Sequence, residues 1–490
     1  MPFFARRKIN SVVHVTVFFS IFSQILSMEN QTLKRELGLL DGVMLVAGSM
    51  IGSGIFIVSS DMVRQVGSAG WLIALWAFTA LFTMMAAVSY GELSAMFPQA
   101  GGQYVYLKEA YGKRMGFLYG WSFFTVIQTG TIAAVAVAFA KFLGFFFPVL
   151  GESNVLFQIG NWSFTAAQIV AIVSVWITTY LNMRGVKEAK WIQTILTLIK
   201  IGSLLGLIVC CFIWGANAEI WNANWAQAWE MQIYTNGSWT DLLGIAVVGG
   251  MAAALVGSVF SSDAWNGVTF LAGEIKRPER NVGLSLLLGT SLVGLLYIIT
   301  NLMYLAVVPL QAMASAPSDR VAVVVADAAF GQWGAAIVAV MIIISTFACN
   351  NGLIMSGSRV LYTMGKDGLF LKQSAQLNQN NVPQWALVAQ AVWVSVLCLT
   401  GKYGLLLDFV VVIVLLFYIL TIYALFHFRK TRPDHPRPYK AFGYPVIPLV
   451  YMVCATAIVV ALFVFKPWTS LAGFGLLLLG LPVYRWMNRA

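Results

Sequence analysis

Gly48-Ser49-Met50-Ile51-Gly52-Ser53-Gly54 interrupts a long apolar stretch near the start of the chain, and Gly257-Ser258-Val259-Phe260-Ser261-Ser262-Asp263 interrupts another near its middle. Within a bilayer an unwound backbone is tolerated only where it is buried in protein or lines a cavity, because lipid cannot pair its N–H and C=O groups. Two such breaks at corresponding places in two halves of a chain point to a solute site of the kind found in transporters. The plainer reading of glycine in a membrane helix is close helix packing. That reading suits a single Gly-x-x-x-Gly better than it suits a matched pair.

The rest of the chain supports a membrane setting. Hydrophobic residues make up 59% and charged residues 10%, with a mean hydropathy of +0.80, against roughly 45–50% and 25% in soluble domains. Twelve spans can be drawn at roughly 39–64, 71–95, 116–147, 164–183, 190–214, 241–265, 283–308, 333–358, 384–401, 404–427, 443–465 and 468–484. A transmembrane β-barrel would show short segments of strict alternation instead. The first break falls in span 1 and the second in span 6, so five spans make up a repeat. An odd number sends the second copy in from the opposite face, which makes the halves inverted. The expected organisation is an N-terminal segment (1–35), a first repeat (36–214), a second repeat (241–427) and two peripheral spans (443–484).

The net charge of +11 sets topology and calls for no nucleic acid. Among the 30 Lys and Arg, Arg64, Lys141, Arg320, Lys402 and Lys466 fall outside or near the outer ends, and Lys200 falls within a span. All the others lie on segments that face the cytoplasm if both termini do, the positive-inside pattern. A multi-pass protein of the cell membrane with cytoplasmic termini is therefore expected. Cys210, Cys211, Cys349, Cys398 and Cys454 all lie within spans, so no external disulfide is expected. With no C-x-x-C and three histidines (His14, His427, His435), neither a metal nor another cofactor is expected. At the N-terminus, Arg6, Arg7 and Lys8 precede an apolar run from Val12 to Leu26. It is too short to span comfortably. It reads either as upstream sequence before a true start at Met28, or as a helix lying on the inner membrane surface.

The chemistry of the breaks follows from their ends. Gly52 and Gly54 expose backbone without a Cβ, and the half-helix that begins beyond them turns its positive end and free amides to the gap, which favours a carboxylate. Carbonyls freed around Phe260 and Ser261 suit a cationic amine. A carboxylate holder on one helix and an amine holder on the other read an α-amino acid.

These residues resemble the amino acid-polyamine-organocation transporters, in particular the L-type amino acid exchangers and their microbial relatives. Gly52-Ser53-Gly54-Ile55-Phe56 is similar to the span 1 signature. Tyr90-Gly91-Glu92-Leu93 and Phe97-Pro98-Gln99-Ala100-Gly101-Gly102-Gln103-Tyr104-Val105-Tyr106 are similar to the segment leaving span 2. Asn182, Gly185, Lys187, Gln193 and Lys200 match the span 5 pattern. Phe260-Ser261-Ser262-Asp263-Ala264-Trp265-Asn266, followed by Glu274 and Pro278, resembles the span 6 break. The similarity runs from about residue 36 to 430.

The resemblance implies a LeuT-type five-plus-five inverted-repeat fold, all-α with 12 transmembrane helices, of which helices 1 and 6 are broken. It also implies sodium-independent transport of amino acids. Carried over by position, Ser53 and Gly54 hold the substrate carboxylate and the carbonyls of Met50, Phe260 and Ser261 its ammonium. Phe260 is also the gate above the substrate, and Lys200 stands in for a sodium ion and braces the first break. The candidate substrate-binding residues are thus Met50, Ile51, Gly52, Ser53, Gly54, Phe260, Ser261 and Asp263. The candidate gating residues are Phe260, Lys200 and Glu92.

Asp263 stands where many animal members carry a small residue. It can pair with the substrate ammonium, carry a proton, or cap the half-helix after the break. The loop near 149–163 lacks the cysteine by which animal members attach to a heavy-chain glycoprotein, so no disulfide-linked heavy chain is expected. Small Ser262 and Ala264 hint at modest neutral substrates.

Lys200 lies mid-span, where a lysine is costly unless satisfied. Its depth argues for a tether to broken-helix carbonyls over snorkelling to an interface. Glu92 reads as an inner gate or cap, Asp408 as structural. Ser345 and Thr346 either line the site or return a hydrogen bond to their own helix. The sequons at Asn161 and Asn236 matter only in a host that glycosylates.

Neutral amino acid exchange by alternating access is the leading expectation. Proton-coupled uptake of amino acids or amines through Asp263 or Glu92 is its mechanistic rival, and a transporter-like sensor the rival from another class. A sensor would be expected to carry a long soluble tail, and an enzyme would need a convergent catalytic set; neither is visible.

Overall fold

A computed structural model describes residues 33–160, 162–400 and 403–487. The expectations for Val12–Leu26, the start at Met28, Asn161 and the side chain of Asp408 lie outside the described residues. The protein is an all-α polytopic membrane bundle. Among the described residues nine helices are long and apolar enough to cross a membrane, or ten if one bent pair counts as a single span. That pair is α1 (Leu39–Met50) and α2 (Gly54–Val66), bent by 45°. Both Ile245–Ser261 and Gln384–Leu399 are apolar but shorter.

Along the chain follow α3 (Ala69–Met96), α4 (Gln103–Tyr111), α5 (Lys113–Ser122), a π-helical turn (Phe123–Ile127), α6 (Gln128–Phe146), α7 (Ala166–Met183), α8 (Val186–Trp214) and α9 (Ala218–Ala226). The second part holds α10 (Ile245–Ser261), α11 (Gly267–Phe270), α12 (Pro278–Val307), α13 (Leu310–Ala314), α14 (Val321–Phe330), α15 (Gly334–Lys366), α16 (Gln384–Leu399) and α17 (Tyr403–Thr431). Last come α18 (Val446–Phe465), α19 (Pro467–Leu478) and α20 (Gly480–Met487). Two antiparallel hairpins, Val155–Ile159 with Trp162–Thr165 and Gln232–Thr235 with Ser238–Asp241, ornament the connections.

Helix α1 packs against α8, α12 and α15, whereas α2 packs against α10. The break between them is therefore enclosed by protein, as lipid would demand. Small residues let the backbones approach. A Cβ at Gly289 would come 2.5 Å from Val46, and one at Gly294 2.7 Å from the Cβ of Ala80. The chain enters the bundle beside the segment that follows the second break: the amides of Glu36 and Leu37 donate to the Glu274 carbonyl at 2.9 and 3.0 Å, and the Lys276 amide returns to Leu37 at 2.8 Å.

Both breaks are shorter than the glycine pattern suggests. The first unwinds only Ile51–Ser53; Gly48, Ser49 and Met50 remain helical. Gly48 serves close packing, since a Cβ there would come 2.1 Å from Gln193 Nε2 and 2.3 Å from Thr197 Oγ1. The second break begins at Ser262 rather than Gly257, because the helix pairs its amides as far as Ser262 N to Ser258 O at 3.0 Å. Gly257 lies against Val58, 2.5 Å from where its Cβ would stand. Both glycines thus follow the plainer packing reading, while the gaps fall just beyond them.

Candidate functional site

The two breaks meet at Gly54 and Ser261. A Cβ on Gly54 would lie 2.2 Å from Ser261 Oγ and 3.2 Å from its Cα, so only glycine lets α2 start this close to the end of α10. The Gly54→Ala variant is accordingly expected to lose at least about tenfold in transport, since the backbones must separate. Adding Ser261→Gly removes the two closest atoms and should restore part of the rate. Uptake assays on the single and double variants test this, and a fully active single variant would contradict the contact.

Around the first break, carbonyls released by unwinding find donors from three other helices. The Lys200 ammonium on α8 is buried and donates to the carbonyls of Gly48 at 2.5 Å and Ile51 at 2.8 Å. From α15, the Ser345 hydroxyl lies 2.9 Å from the Ile51 carbonyl and 3.0 Å from that of Gly52, and Cys349 Sγ donates to Ser49 at 3.0 Å. Thr346, next to Ser345, bonds back only to its own helix, to the carbonyls of Ile342 at 2.7 Å and Ile343 at 3.1 Å. Of the two hydroxyls that sequence left open, one joins the break and the other serves its own helix.

The second break is held differently. The Tyr297 hydroxyl on α12 is shared between the carbonyls of Met50 at 3.1 Å and Ser261 at 3.2 Å, bridging both breaks. The Phe260 carbonyl accepts from the Asp263 amide at 3.1 Å. The carbonyls of Met50, Phe260 and Ser261 are thus not bare, as the sequence suggested; that of Met50 accepts from the Gly52 amide at 2.9 Å as well as from Tyr297, while those of Phe260 and Ser261 each accept at least one bond. Ala264, within the break, takes φ +65°, a left-handed conformation that costs a β-carbon residue about 1–2 kcal/mol. Asp263 Oδ1 accepts from the Tyr418 hydroxyl of α17 at 2.5 Å. Beside it lies a cavity of about 20 Å³ lined by Gln103, Gln128, Thr131, Asn266 and Phe123 of the π-helical turn, among others. A volume near 20 Å³ admits about one water and no amino acid.

Phe260 is partly exposed, while Met50, Ile51, Gly52, Ser53 and Ser261 are buried. Glu92 does not approach the breaks. Wholly buried near the end of α3, it accepts from Arg429 Nε at 3.0 Å, Arg429 Nη2 at 2.6 Å and the Ala441 amide at 2.7 Å, with Arg437 Nε 3.4 Å away. Two further ion pairs close the same end of the bundle. Arg359 grips Glu274 through Nε at 2.8 Å and Nη2 at 3.1 Å with both side chains fully buried, and Lys108 meets Asp367 at 2.8 Å. Between these pairs and the breaks, Tyr90, Trp265 and Tyr418 pack ring to ring, with centroids 4.8 Å apart for the first pair and 5.3 Å for the second.

Sequence reasoning missed Tyr297, Cys349 and Tyr418, and it counted Arg359 only among the basic residues of the cytoplasmic segments. A tyrosine in mid-span signals that its hydroxyl needs a partner, but nothing in the linear sequence says which one.

A helical membrane bundle whose first span is broken, with backbone carbonyls held by a buried lysine, is the architecture of a solute carrier. Residues 37–478 match the amino acid permease family. The chain belongs to that family, a family of transporters rather than enzymes. It is similar to the serine/threonine exchanger SteT of Bacillus subtilis, 25% identical over 94% of this chain and 98% of the relative. It is likewise similar to the b(0,+)-type amino acid transporter 1 of Homo sapiens, 27% identical over 94% and 90%. The Asc-type amino acid transporter 1 of Mus musculus is 26% identical over 93% and 82%.

Proposed function

We propose that this chain exchanges small neutral L-amino acids across the cell membrane by alternating access, without sodium, around a site formed by the two breaks. The observation that carries the reading is the meeting of Gly54 with Ser261 beside carbonyls held by the Lys200 ammonium. A fixed cation at those carbonyls takes the place a metal ion would need. In this reading the free amides of Ser53 and Gly54 receive the substrate carboxylate, and the carbonyls of Phe260 and Ser261 receive its ammonium, joined by that of Met50 when the Tyr297 hydroxyl gives way. Phe260 closes over it, and Glu92 locks the opposite end.

A five-plus-five repeat is supported by the pairs that pack most extensively. They are α3 with α12, α2 with α10 and α6 with α15; counted as spans these are 2 with 7, 1 with 6 and 3 with 8, each separated by five. Taking α10 with α11, and α16, as membrane-crossing completes twelve spans, with both termini on the basic, cytoplasmic side. The absence of cysteine from the loop near 149–163 supports work without a disulfide-linked heavy chain. Exchange is favoured by the likeness to a serine/threonine exchanger.

Ser53→Leu is the direct test. Ser53 is 4% exposed, so leucine fills the space at the N-terminus of α2. The variant should insert normally yet lose serine and alanine binding by at least about a hundredfold, measured by scintillation proximity; unchanged binding would remove Ser53 from the site.

A second reading, proton-coupled uptake, rests on the bond from Tyr418 to Asp263 next to a water-sized polar cavity. An acid so placed can exchange a proton with a water there. It predicts uptake into empty vesicles that follows an imposed proton gradient.

A further inference from the structure

Residues 432–445, between α17 and α18, fold back against the basic end of the bundle. Three contacts seat them on the end of α3: the Ala441 amide on Glu92, His435 Nε2 donating to the Met96 carbonyl at 3.1 Å, and the Tyr439 ring over Gly91, where a Cβ would come within 2.8 Å of the ring. Arg437 ties the turn internally, donating to the carbonyls of Pro433, His435, Phe428 and Arg432 at 2.8 to 3.0 Å.

The fold-back leaves a cavity of about 380 Å³ lined by Arg429, Pro433, His435, Arg437 and Lys440. No carboxylate lines it. The acids of the surrounding elements are either engaged elsewhere or turned away. Glu92 is buried against Arg429 and Arg437, Glu109 pairs with Arg432 at 3.1 Å, and Asp434 is exposed and outside the lining. Arg429 spends Nε and Nη2 on Glu92, which leaves Nη1 over. Lys440 is exposed and has no ion-pair partner among the described residues. A concave lining in which every side chain but that of Pro433 is basic is a site for an anion.

Its surroundings say which kind. Phe442, two residues beyond Lys440, is 76% exposed, and α18 opens with exposed Val446, Leu449, Val450 and Val453. The cavity therefore sits where a lipid-facing helix begins, at headgroup depth, with an aromatic side chain beside it. We propose that this pocket binds the phosphate of an anionic phospholipid headgroup, with Arg429 and Lys440 as its cationic partners and Phe442 set among the adjoining lipid. The site goes beyond the transport reading and depends only on the membrane bundle. Because Arg429 also holds Glu92, the lipid touches the same pair that closes this end.

The test uses the full chain in nanodiscs of phosphatidylcholine with a minor share of phosphatidylglycerol. Lipid retained after gentle detergent transfer is counted by native mass spectrometry. Wild-type protein should retain phosphatidylglycerol over phosphatidylcholine by about tenfold beyond its share, and Lys440→Gln should lose most of that preference. His435→Gln with Lys440→Gln, which keeps a donor for the Met96 carbonyl, should lose the remainder. Lys276→Gln, in another basic segment, should leave the preference intact. An equal preference in wild type and double variant would overturn the site. So would a loss produced just as well by Lys276→Gln. Displacement of the lipid by inorganic phosphate at comparable concentration would assign the pocket to free phosphate and overturn the lipid. Every readout is lipid retention, so an error about the transported solute leaves the test unaffected.

Discussion

Lys200→Met is expected to lower amino acid exchange by about a hundredfold while substrate affinity changes by less than about tenfold. The ammonium holds the carbonyls of Gly48 and Ile51 at 2.5 and 2.8 Å, and Lys200 is 2% exposed. Methionine matches its length but donates nothing. Each buried acceptor left unpaired costs about 1–3 kcal/mol, and the Ile51 carbonyl keeps the Ser345 hydroxyl while the Gly48 carbonyl loses its Lys200 donor and the amide of Gly52 is already turned to Met50. A loss near 3 kcal/mol in the geometry of the break corresponds to a rate factor of about a hundred. The affinity should suffer less because Ser53 and Gly54 lie beyond the tethered turn. Steady-state exchange alongside equilibrium binding separates the two quantities; an unchanged exchange rate would remove the tether from the mechanism.

Arg359→Met is expected to give the largest loss of stability of any substitution discussed. The Arg359 and Glu274 side chains are both fully buried and joined by two hydrogen bonds. Removing one partner leaves a buried charge alone, at a cost of about 3–5 kcal/mol. Removing both with residues of similar volume costs far less. Arg359→Met and Glu274→Gln should each lower the melting temperature in detergent steeply, and the double variant should recover much of the difference. The pair also ties α15 to the segment after the second break, whose Glu274 carbonyl receives the amides of Glu36 and Leu37. Exchange in the double variant should therefore remain below wild type even where folding recovers. Additive losses in the double variant would show that the two side chains act independently.

Much of this was legible in the sequence, for reasons that can be named. A membrane bundle follows from apolar runs and sparse charge. That a lysine in mid-span must find carbonyls follows from the cost of burying it, and Lys200 lies against the interrupted span. The exact gaps were not legible, because glycine serves both unwinding and close packing. Gly48 meets Gln193 and Gly257 meets Val58 across helix contacts, and neither neighbour is near in sequence. Arg359 reads as one more basic residue of an inner loop until the fold brings Glu274, 85 residues away, against it. Tyr297 and Cys349 read as ordinary core. Their donors matter only because Met50, Ser261 and Ser49 offer carbonyls there. Of the two short apolar helices, Ile245–Ser261 stops where the chain unwinds at Ser262, and Gln384–Leu399 is followed in sequence by Thr400, Gly401 and Lys402.

The most direct measurement is uptake of labelled serine, alanine and leucine into sodium-free proteoliposomes, either empty or preloaded with unlabelled amino acid, with and without an inward proton gradient. Exchange around the paired breaks predicts uptake that requires internal amino acid and ignores the gradient. Uptake into empty vesicles driven by the gradient would contradict it and bring Asp263 and Glu92 forward as coupling groups.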